Sequence, residues 1–568
     1  VITVTALFQA VKDDIRNRYP DLGTTQCETW DADRYAAAAL VEGFLKKNQE
    51  TIDTTVADAC ALRTFLEVNE RVGLWAKRQL HEWEEELWGT FKDELYRFFY
   101  PRGEPLFTSW NVVASFGDLG PGASLGANGT DFYTKLFSSN LTATSESLYN
   151  TYRRTLTDPK WREAEETRQA LGFKEVFVDA NKLSYVPKND RTSRTICTEP
   201  TLNMFFQRGL SKIMESRLRD YGIDLSIQPD LNRDLARIGS AGDCISSIDL
   251  SSASDSVSNS LLAELLPAQV HPWFQYLRVP YTVLPDGTRV KLNMHSTMGN
   301  GYTFSLQTVL FTCMVLASFR VSGCRRLASV VDKRQKNWGV FGDDILVPKG
   351  QVTRYVLALL DIAGFRVNSE KTFVEGPFRE SCGGDFLLGR NVRPVFARTV
   401  LTQETRYTLL NRLNWWCKEH FVLPQTLAVL NDELGNRPHI VPPLFPDDSG
   451  IRTSWTQAVR LLPKDRNGSI RCRFRKAVTY KVAVSEDTLR TPALKQKERD
   501  KRRYNSAGLL IAFVQGYARG TGPRAVTGTV AEPDPVVGHI PTRNGSDHVR
   551  YRTCEVTIPN WDYSQVGG

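Results

Sequence analysis

Apolar residues recur every four positions at Leu7, Val11, Ile15 and Tyr19, the spacing of one helix face. Asp31 precedes the Ala-rich run from Tyr35 to Leu45 and predicts its N-cap. From Val72 to Tyr100, Leu80, Trp83, Leu87, Phe91, Leu95 and Phe98 form an apolar stripe opposite acidic residues. That stripe predicts one amphipathic helix, ended by Pro101, with its aromatics in a core. Residues 299 to 319 carry no charge. Asn300, Thr303, Ser305, Gln307 and Thr308 make this stretch a buried helix rather than a membrane span. Val340 to Pro348 is rich in Val, Ile and Leu around Gly342-Asp343-Asp344, the pattern of two short strands meeting at a tight turn. Tyr355, Leu359 and Ile362 predict a helix that Gly364 terminates, and Phe365 to Phe373 a strand carrying Lys371. Phe378 to Gly389 reads as a second hairpin, and Trp415-Trp416 as core. Gly117 to Gly129 holds Gly120-Pro-Gly122-Ala-Ser-Leu-Gly126, one residue off a dinucleotide fingerprint. The Pro in the turn and the lack of a preceding strand make it a loop.

Composition narrows the class without naming a function. The 568 residues suffice for a large core and several subdomains, and 41% hydrophobic content describes a folded protein. With no internal repeat or long linker, the subdomains are expected to pack into one body. The formal charge of +8 and pI near 8.9 permit an anionic partner without demanding one. Ten cysteines and seven histidines are dispersed, with no Cys-x-x-Cys pair. His81-Glu82 lacks the second histidine of a zinc-protease helix. Structural zinc and a disulfide framework are not expected, and reduced cytosolic thiols are. The first residues show no signal-peptide pattern, and a start at Val1 rather than Met is read as the loss of a few residues.

Chemistry concentrates between residues 182 and 373. Asp343 and Asp344 lie at a turn, where neighbouring side chains can share one face. Two such carboxylates repel unless one is protonated or a divalent cation joins them. Asp249 ends the apolar run from Cys244, and Asp255 follows after five residues. A carboxylate at a strand end suits a metal ion and one a turn later can contact a ligand hydroxyl, while Asp255 taken alone is more often a helix N-cap. Lys182, Lys188, Arg191 and Arg194 lie along an extended strand pair, which is either a solvated basic edge or a clamp for a triphosphate. His295 to Thr303 is a small-residue loop whose Gly299 and Gly301 let backbone approach a base or ribose. Arg471 to Lys481 and Lys495 to Arg503 are basic, readable as solvated faces or as RNA-facing surface.

In order, these are a basic strand pair, Asp-x₅-Asp, a Gly-rich loop and helix, a Gly-Asp-Asp hairpin and a Lys-bearing segment. That succession resembles the palm-type RNA-dependent RNA polymerases. More narrowly, it is similar to the catalytic replicase subunits of small positive-strand RNA phages, the family of Q-beta and MS2. The phrases carrying the match include Val186-Pro-Lys-Asn189, Arg194-Thr-Ile, Glu199-Pro, Gly222-Ile-Asp-Leu225 and Ile248-Asp-Leu-Ser251. Others are Ala253-Ser-Asp-Ser256, Ser296-Thr-Met-Gly-Asn-Gly-Tyr-Thr-Phe304, Gly342-Asp-Asp-Ile345, Lys371-Thr-Phe373 and Gly376-Pro-Phe-Arg-Glu-Ser-Cys-Gly383. The likeness is strong over residues 180 to 395 and loose at both ends.

The resemblance implies an α+β right-hand fold with an antiparallel-sheet palm carrying the Gly-Asp-Asp hairpin. Residues 1–200 would form the N-terminal helical region and fingers, 201–400 the palm with interleaved fingers segments, and 401–568 the thumb and C-terminal region. It implies nucleotidyl transfer from NTPs to an RNA 3′-hydroxyl, with two Mg²⁺ ions held by Asp249, Asp343 and Asp344 (Mn²⁺ or Ca²⁺ could substitute in binding). Lys188, Arg191 and Arg194 would bind the triphosphate, and Lys371 would donate a proton to pyrophosphate. Asp255, Asn300 and Gly299 would face the nucleotide. Many viral polymerases carry Gly-x₃-Thr-x₃-Asn in the loop and helix, whereas here Gly299 and Thr303 lead to Gln307. The expected partners are single-stranded viral RNA, NTPs, elongation factors Tu and Ts and a ribosomal small-subunit protein, with no membrane, in the infected bacterial cytoplasm.

Two rivals share parts of the pattern. A reverse transcriptase uses the same palm and paired aspartates, and the Gly before Asp343-Asp344 argues against it, as do Asp255 and the basic strand pair. A non-catalytic RNA-binding assembly protein would not need Asp249, Asp343, Asp344 and Lys371 together.

Overall fold

The uncharged helix forms as Thr303–Ser322, and 16 of its 20 residues are buried. It is long and apolar enough to cross a membrane, but 83% of its apolar window lies inside the protein. In this computed structural model, residues 3–22, 31–48, 53–189, 191–327, 336–478, 480–483, 505–515, 536–539 and 550–563 are described. Leu306, Val309, Leu310, Cys313 and Met314 of that helix are fully enclosed. Helices Glu82–Phe99, Thr201–Asp220 and Gln351–Ile362 pack around it. Burial of that size is the main stabilising term, on the order of 25 cal/mol per Å² of apolar surface.

Beside this core lies a three-stranded antiparallel sheet in the order Ile245–Ile248, Asp344–Pro348, Gly339–Phe341. Val340, Ile345 and Val347 join the central core, whereas Leu346 packs with Leu235, Ile245 and Phe386. Successive side chains alternate between faces, so an apolar run of this kind buries both sides of the strand. A second, four-stranded sheet runs Ser193–Thr198, Ala180–Pro187, Tyr281–Val283, Arg289–Lys291. Its first pair is antiparallel and extends from Lys182 opposite Thr198 to Pro187 opposite Ser193. Phe65, Val68 and Val72 of helix Thr55–Gly73 pack on Leu183, Cys197, Leu284 and Leu292 of this sheet region.

The first two helices, Val4–Arg18 and Ala32–Gly43, bury their apolar stripes far along the chain, against Tyr407, Leu410, Leu413 and Leu430. Asp31 caps the second, accepting the Arg34 N–H at 2.8 Å. Buried Asp14 accepts the N–H groups of Gln425 and Thr426 at 3.0 and 2.8 Å. It thereby caps helix Pro424–Leu434 from 411 residues away, where a carboxylate meets the positive helix end.

Four expectations are corrected. The helix expected over Val72 to Tyr100 is two helices, Thr55–Gly73 and Glu82–Phe99, with Leu80 in the connector. The break is set by Glu84, which accepts the His81 N–H at 2.8 Å and pairs with Arg78 at 2.6 Å. Trp83 is 45% exposed and stacks on Tyr355 instead of entering the core. Of the two adjacent tryptophans, Trp416 is buried and Trp415 is 53% exposed, because neighbours on a helix cannot share one face. The stretch expected as one strand over Phe365 to Phe373 pairs only at its two ends, Arg366–Val367 with Leu250–Ser251 and Phe373 with Ser247, and between them Lys371 lies in a turn closed by its N–H to the Asn368 carbonyl at 3.1 Å.

The loop at Gly117 to Gly129 is a loop, the second hairpin pairs Phe378–Ser381 with Gly384–Leu387, and Gly364 ends its helix with φ +81°. The basic stretch from Arg471 forms strand Ile470–Val478, with Arg471 and Arg473 exposed while Cys472 and Phe474 are buried. Lys495 to Arg503 lies outside the described residues.

Candidate active site

Asp344 opens one strand of the hairpin and pairs with Phe341, leaving Gly342-Asp343 as a two-residue turn. Gly342 has φ +60°, and a Cβ there would stand 2.6 Å from the Phe304 ring. A glycine is therefore required on both conformational and steric grounds. Its N–H donates to Thr308 Oγ1 at 3.1 Å, fixing the turn on the buried helix.

Ile248 lies opposite Ile345, so Asp249, the next residue, leaves its strand at the Asp344 end of the sheet. Asp249 is held by its N–H to Thr372 Oγ1 at 3.1 Å, and its Oδ2 accepts from Asn368 Nδ2 at 2.9 Å. Asp344 Oδ1 accepts from Ser381 Oγ at 3.2 Å and from the Cys382 N–H at 3.3 Å. The Cys382 thiol approaches Asp344 Oδ2 at 3.6 Å.

All three carboxylates are pushed above the usual range, in each case mainly by burial. Asp344 rises to about 6, with the neighbouring Asp343 charge as the next cause. Asp249 rises by burial against the opposing pull of Lys371 and the Asn368 hydrogen bond, and Asp343 adds to the rise. Asp343 rises by burial, while Arg194, Lys188 and Lys371 favour its charge. Three cations thus face this group from two separate segments. Lys188 is lowered by burial and by Arg194 and Lys371, with Asp249 and Asp343 opposing. Lys371 is raised despite its burial, because Glu380 (3.3 Å from Nζ) and Asp249 hold its proton. Arg191 sits in the exposed tip of the strand pair, where its N–H donates to Asn189 Oδ1 at 2.9 Å.

Asp255 lies in a short turn at Ala253–Asp255 and is 8% exposed. Its Oδ1 accepts the Met298 N–H at 3.3 Å, and burial raises it to about 7. Gly299 has φ +117°, and a Cβ there would lie 2.2 Å from the Cys197 carbonyl oxygen. The Cys197 N–H in turn donates to the Met298 carbonyl at 2.8 Å, joining the loop to the basic strand pair. Asn300 Oδ1 accepts the Tyr302 N–H at 3.0 Å, in a local turn just before the buried helix.

A divalent cation would relieve the repulsion among Asp249, Asp343 and Asp344, and oxygen donors of this kind suit magnesium. Among the described residues, no group of three His, Cys, Asp or Glu side chains is arranged to hold a metal ion as it stands. The Asp344 carboxylate is engaged by Ser381 and Cys382. Asp249 and Asp343 are the pair left facing Lys188 and Lys371.

The family profile described as "RNA replicase, beta-chain" matches residues 102–459, more than half of the chain. The chain belongs to the RNA replicase beta-chain family. Its segments are 38% identical over 248 residues to the RNA-directed RNA polymerase beta chain of Enterobacteria phage GA, covering 43% of each chain. Against that of Escherichia phage MS2, identity is 36% over 254 residues, covering 44% of each. Against the beta subunit of Escherichia virus Qbeta it is 39% over 240 residues, covering 42% of this chain and 38% of that one. The matched region thus spans less than half the length of these relatives. An RNA-dependent RNA polymerase structure from a human picorbirnavirus overlays with a TM-score of 0.32 at 13% identity, covering 44% of this chain and 55% of that one. A score that low fixes nothing about the arrangement of this replicase-family chain.

The sequence reading of this replicase-family chain gave no role to Asn368, Thr372, Ser381 or Cys382. Ser381 and Cys382 lie inside the quoted phrase Gly376 to Gly383, which was the available signal. Thr372 likewise lies inside the phrase Lys371-Thr-Phe373, whereas nothing in the spacing of Asn368 marks it as a partner of Asp249.

Proposed function

We propose that this chain synthesises RNA on an RNA template, transferring nucleotidyl groups from NTPs to an RNA 3′-hydroxyl. The observation that carries this reading is the convergence of Asp249, Asp343 and Asp344 at one end of a sheet, faced by Lys188, Arg194 and Lys371. Phosphoryl transfer needs positioning and charge neutralisation rather than a covalent intermediate. Asp249 and Asp343 would hold two Mg²⁺ ions, with Asp344 supporting them. Bound magnesium supplies charge neutralisation and a more acidic 3′-hydroxyl. Lys188 and Arg194 bind the triphosphate as a point charge and a planar fork, and Arg191 reaches its outer end from the tip of the strand pair. Lys371, held protonated by Glu380 and Asp249, gives its Nζ proton to the departing pyrophosphate.

Asp255, Gly299 and Asn300 lie on the nucleotide side of the loop. Asp255 and the Asn300 amide recognise the ribose 2′-hydroxyl, and Gly299, whose missing side chain lets the loop close on Cys197, presents its backbone to the nucleotide. In right-hand terms, 1–200 carries the helical region and fingers, 201–400 the palm and 401–568 the thumb and C-terminal region, although helices Val4–Arg18 and Ala32–Gly43 rest on residues beyond 400. The RNA and NTPs are the proposed partners, the bacterial cytoplasm the proposed setting, and elongation factors Tu and Ts with a ribosomal small-subunit protein the proposed host subunits. Co-purification from infected cells tests the last. The activity itself is tested by Mg²⁺-dependent incorporation of labelled ribonucleotides on RNA, with deoxyribonucleotides in parallel. Preferential use of deoxyribonucleotides would replace this reading with reverse transcription.

A further inference from the structure

One carboxylate outside the metal site is buried with two side-chain amides, and no cation, as its hydrogen-bond donors. Glu199 follows the strand Ser193–Thr198 and is 1% exposed. Its Oε1 accepts from Asn181 Nδ2 at 2.7 Å and its Oε2 from Gln207 Nε2 at 2.8 Å. Both partners are also buried. Taking a carboxylate out of water is costly, and burial raises Glu199 to about 7. A packed apolar residue would avoid that cost, so the network calls for a reason beyond stability.

The reason lies in what Glu199 does to Gln207. The Gln207 Nε2 donates both to Glu199 and to the Leu277 carbonyl at 3.0 Å. With two acceptors on one side, the amide can lie only one way round. Its oxygen is thereby turned to the Gly301 N–H, which it accepts at 2.9 Å. Gly301 belongs to the loop of Gly299 and Asn300, and a Cβ there would stand 2.9 Å from Gln207 Cβ. Gln207 is thus pressed directly against the backbone it holds.

We propose that Glu199 is a positioning residue for the nucleotide-side loop, acting through Gln207 on Gly301. This rests on the polymerase reading above, in which that loop meets the incoming nucleotide. Glu199 touches neither substrate nor metal, so its removal loosens nucleotide binding and leaves the chemical step in place. The conservative change is accommodated by Asn181, whose Oδ1 is buried with no hydrogen-bond partner. A half-turn of the Asn181 amide offers that oxygen to the new amide nitrogen of Glu199→Gln, and the other half of the network survives.

The test compares wild type, Glu199→Ala and Glu199→Gln in steady-state ribonucleotide incorporation and in amide hydrogen exchange. For Glu199→Ala the expected result is a rise of about tenfold in KM for NTP, with kcat changed less than about threefold. Exchange accelerates in the peptide covering 296–304 and stays unchanged over 339–348. Glu199→Gln restores both readouts. Wild-type KM and exchange in Glu199→Ala would overturn the proposal, as would an equal fall of kcat in both variants or accelerated exchange throughout. If Glu199→Ala does not fold, Gln207→Met removes the bond to the Gly301 N–H while keeping the side-chain volume, and an unchanged KM and loop exchange there would overturn it equally. Should wild type incorporate no nucleotide even with bacterial lysate present, the polymerase reading fails on its own, and the exchange arm still reports whether Glu199 holds the loop.

Discussion

Ile248 and Ile345 face each other across an antiparallel strand pair, and from that single register Asp249 and Asp344 emerge at the same end of the sheet. A slip of one residue would turn every side chain of one strand to the other face. The apolar neighbours Ile248, Ile345 and Val347, all buried, therefore set the place of the carboxylates as well as the core.

The turn between the strands makes the first prediction. Gly342→Ala puts a side chain at φ +60° and within 2.6 Å of the Phe304 ring. A loss of about 1–3 kcal/mol in unfolding free energy is expected from the backbone conformation, together with a large loss of synthesis. Adding Phe304→Ala removes the ring contact and should recover some stability but not all. Denaturant midpoints of the two variants measure this.

Ser381→Ala removes one of the donors that stabilise the Asp344 carboxylate. Asp344 already stands at about 6, and losing that bond raises it further. The acidic limb of the pH–rate profile should move to higher pH, by about half a unit to one unit for one lost hydrogen bond. Synthesis at pH 8 should suffer less than synthesis at pH 6.5.

Asp255 and Glu199 give stability a pH dependence of definite sign. Their folded values of about 7 lie above the ordinary values of 3.8 and 4.5. Below about pH 4 both states are protonated and the folded state keeps its full advantage. As pH rises toward 7 the unfolded chain ionises first, so it binds fewer protons than the folded one and stability falls. The denaturant midpoint of the apo-protein should therefore be lower at pH 8 than at pH 5. Asp255→Asn, which cannot ionise, should flatten that slope.

Much of this site was legible because its signals are local. The strand–turn–strand pattern at Val340 to Pro348, the apolar run into Asp249 and the basic strand pair each depend on near neighbours. What stayed hidden depends on distant ones. Asp344 is held by residues 37 and 38 positions away, and Asp249 by Asn368 across 119. The first helices find their core beyond residue 386, which no periodicity within them announces. Lys371 was placed on a strand because Phe365 to Phe373 looks extended. A turn instead interrupts the pairing after Val367, where the Asn368 N–H donates to the Asp249 carbonyl at 2.9 Å, and pairing resumes at Phe373 opposite Ser247. Trp83 followed the helical period yet stayed outside, where Tyr355 covers one face.

The central claim is that Asp249, Asp343 and Asp344 form a metal-dependent centre for RNA synthesis. The most direct measurement is Mg²⁺-dependent incorporation of labelled ribonucleotides on an RNA template, with and without bacterial lysate, by wild type and Asp343→Asn in the presence of an inhibitor of DNA-dependent transcription. The account predicts synthesis by wild type, abolished by chelation and lost in Asp343→Asn while the variant keeps its thermal stability. Equal synthesis by the two proteins would contradict it.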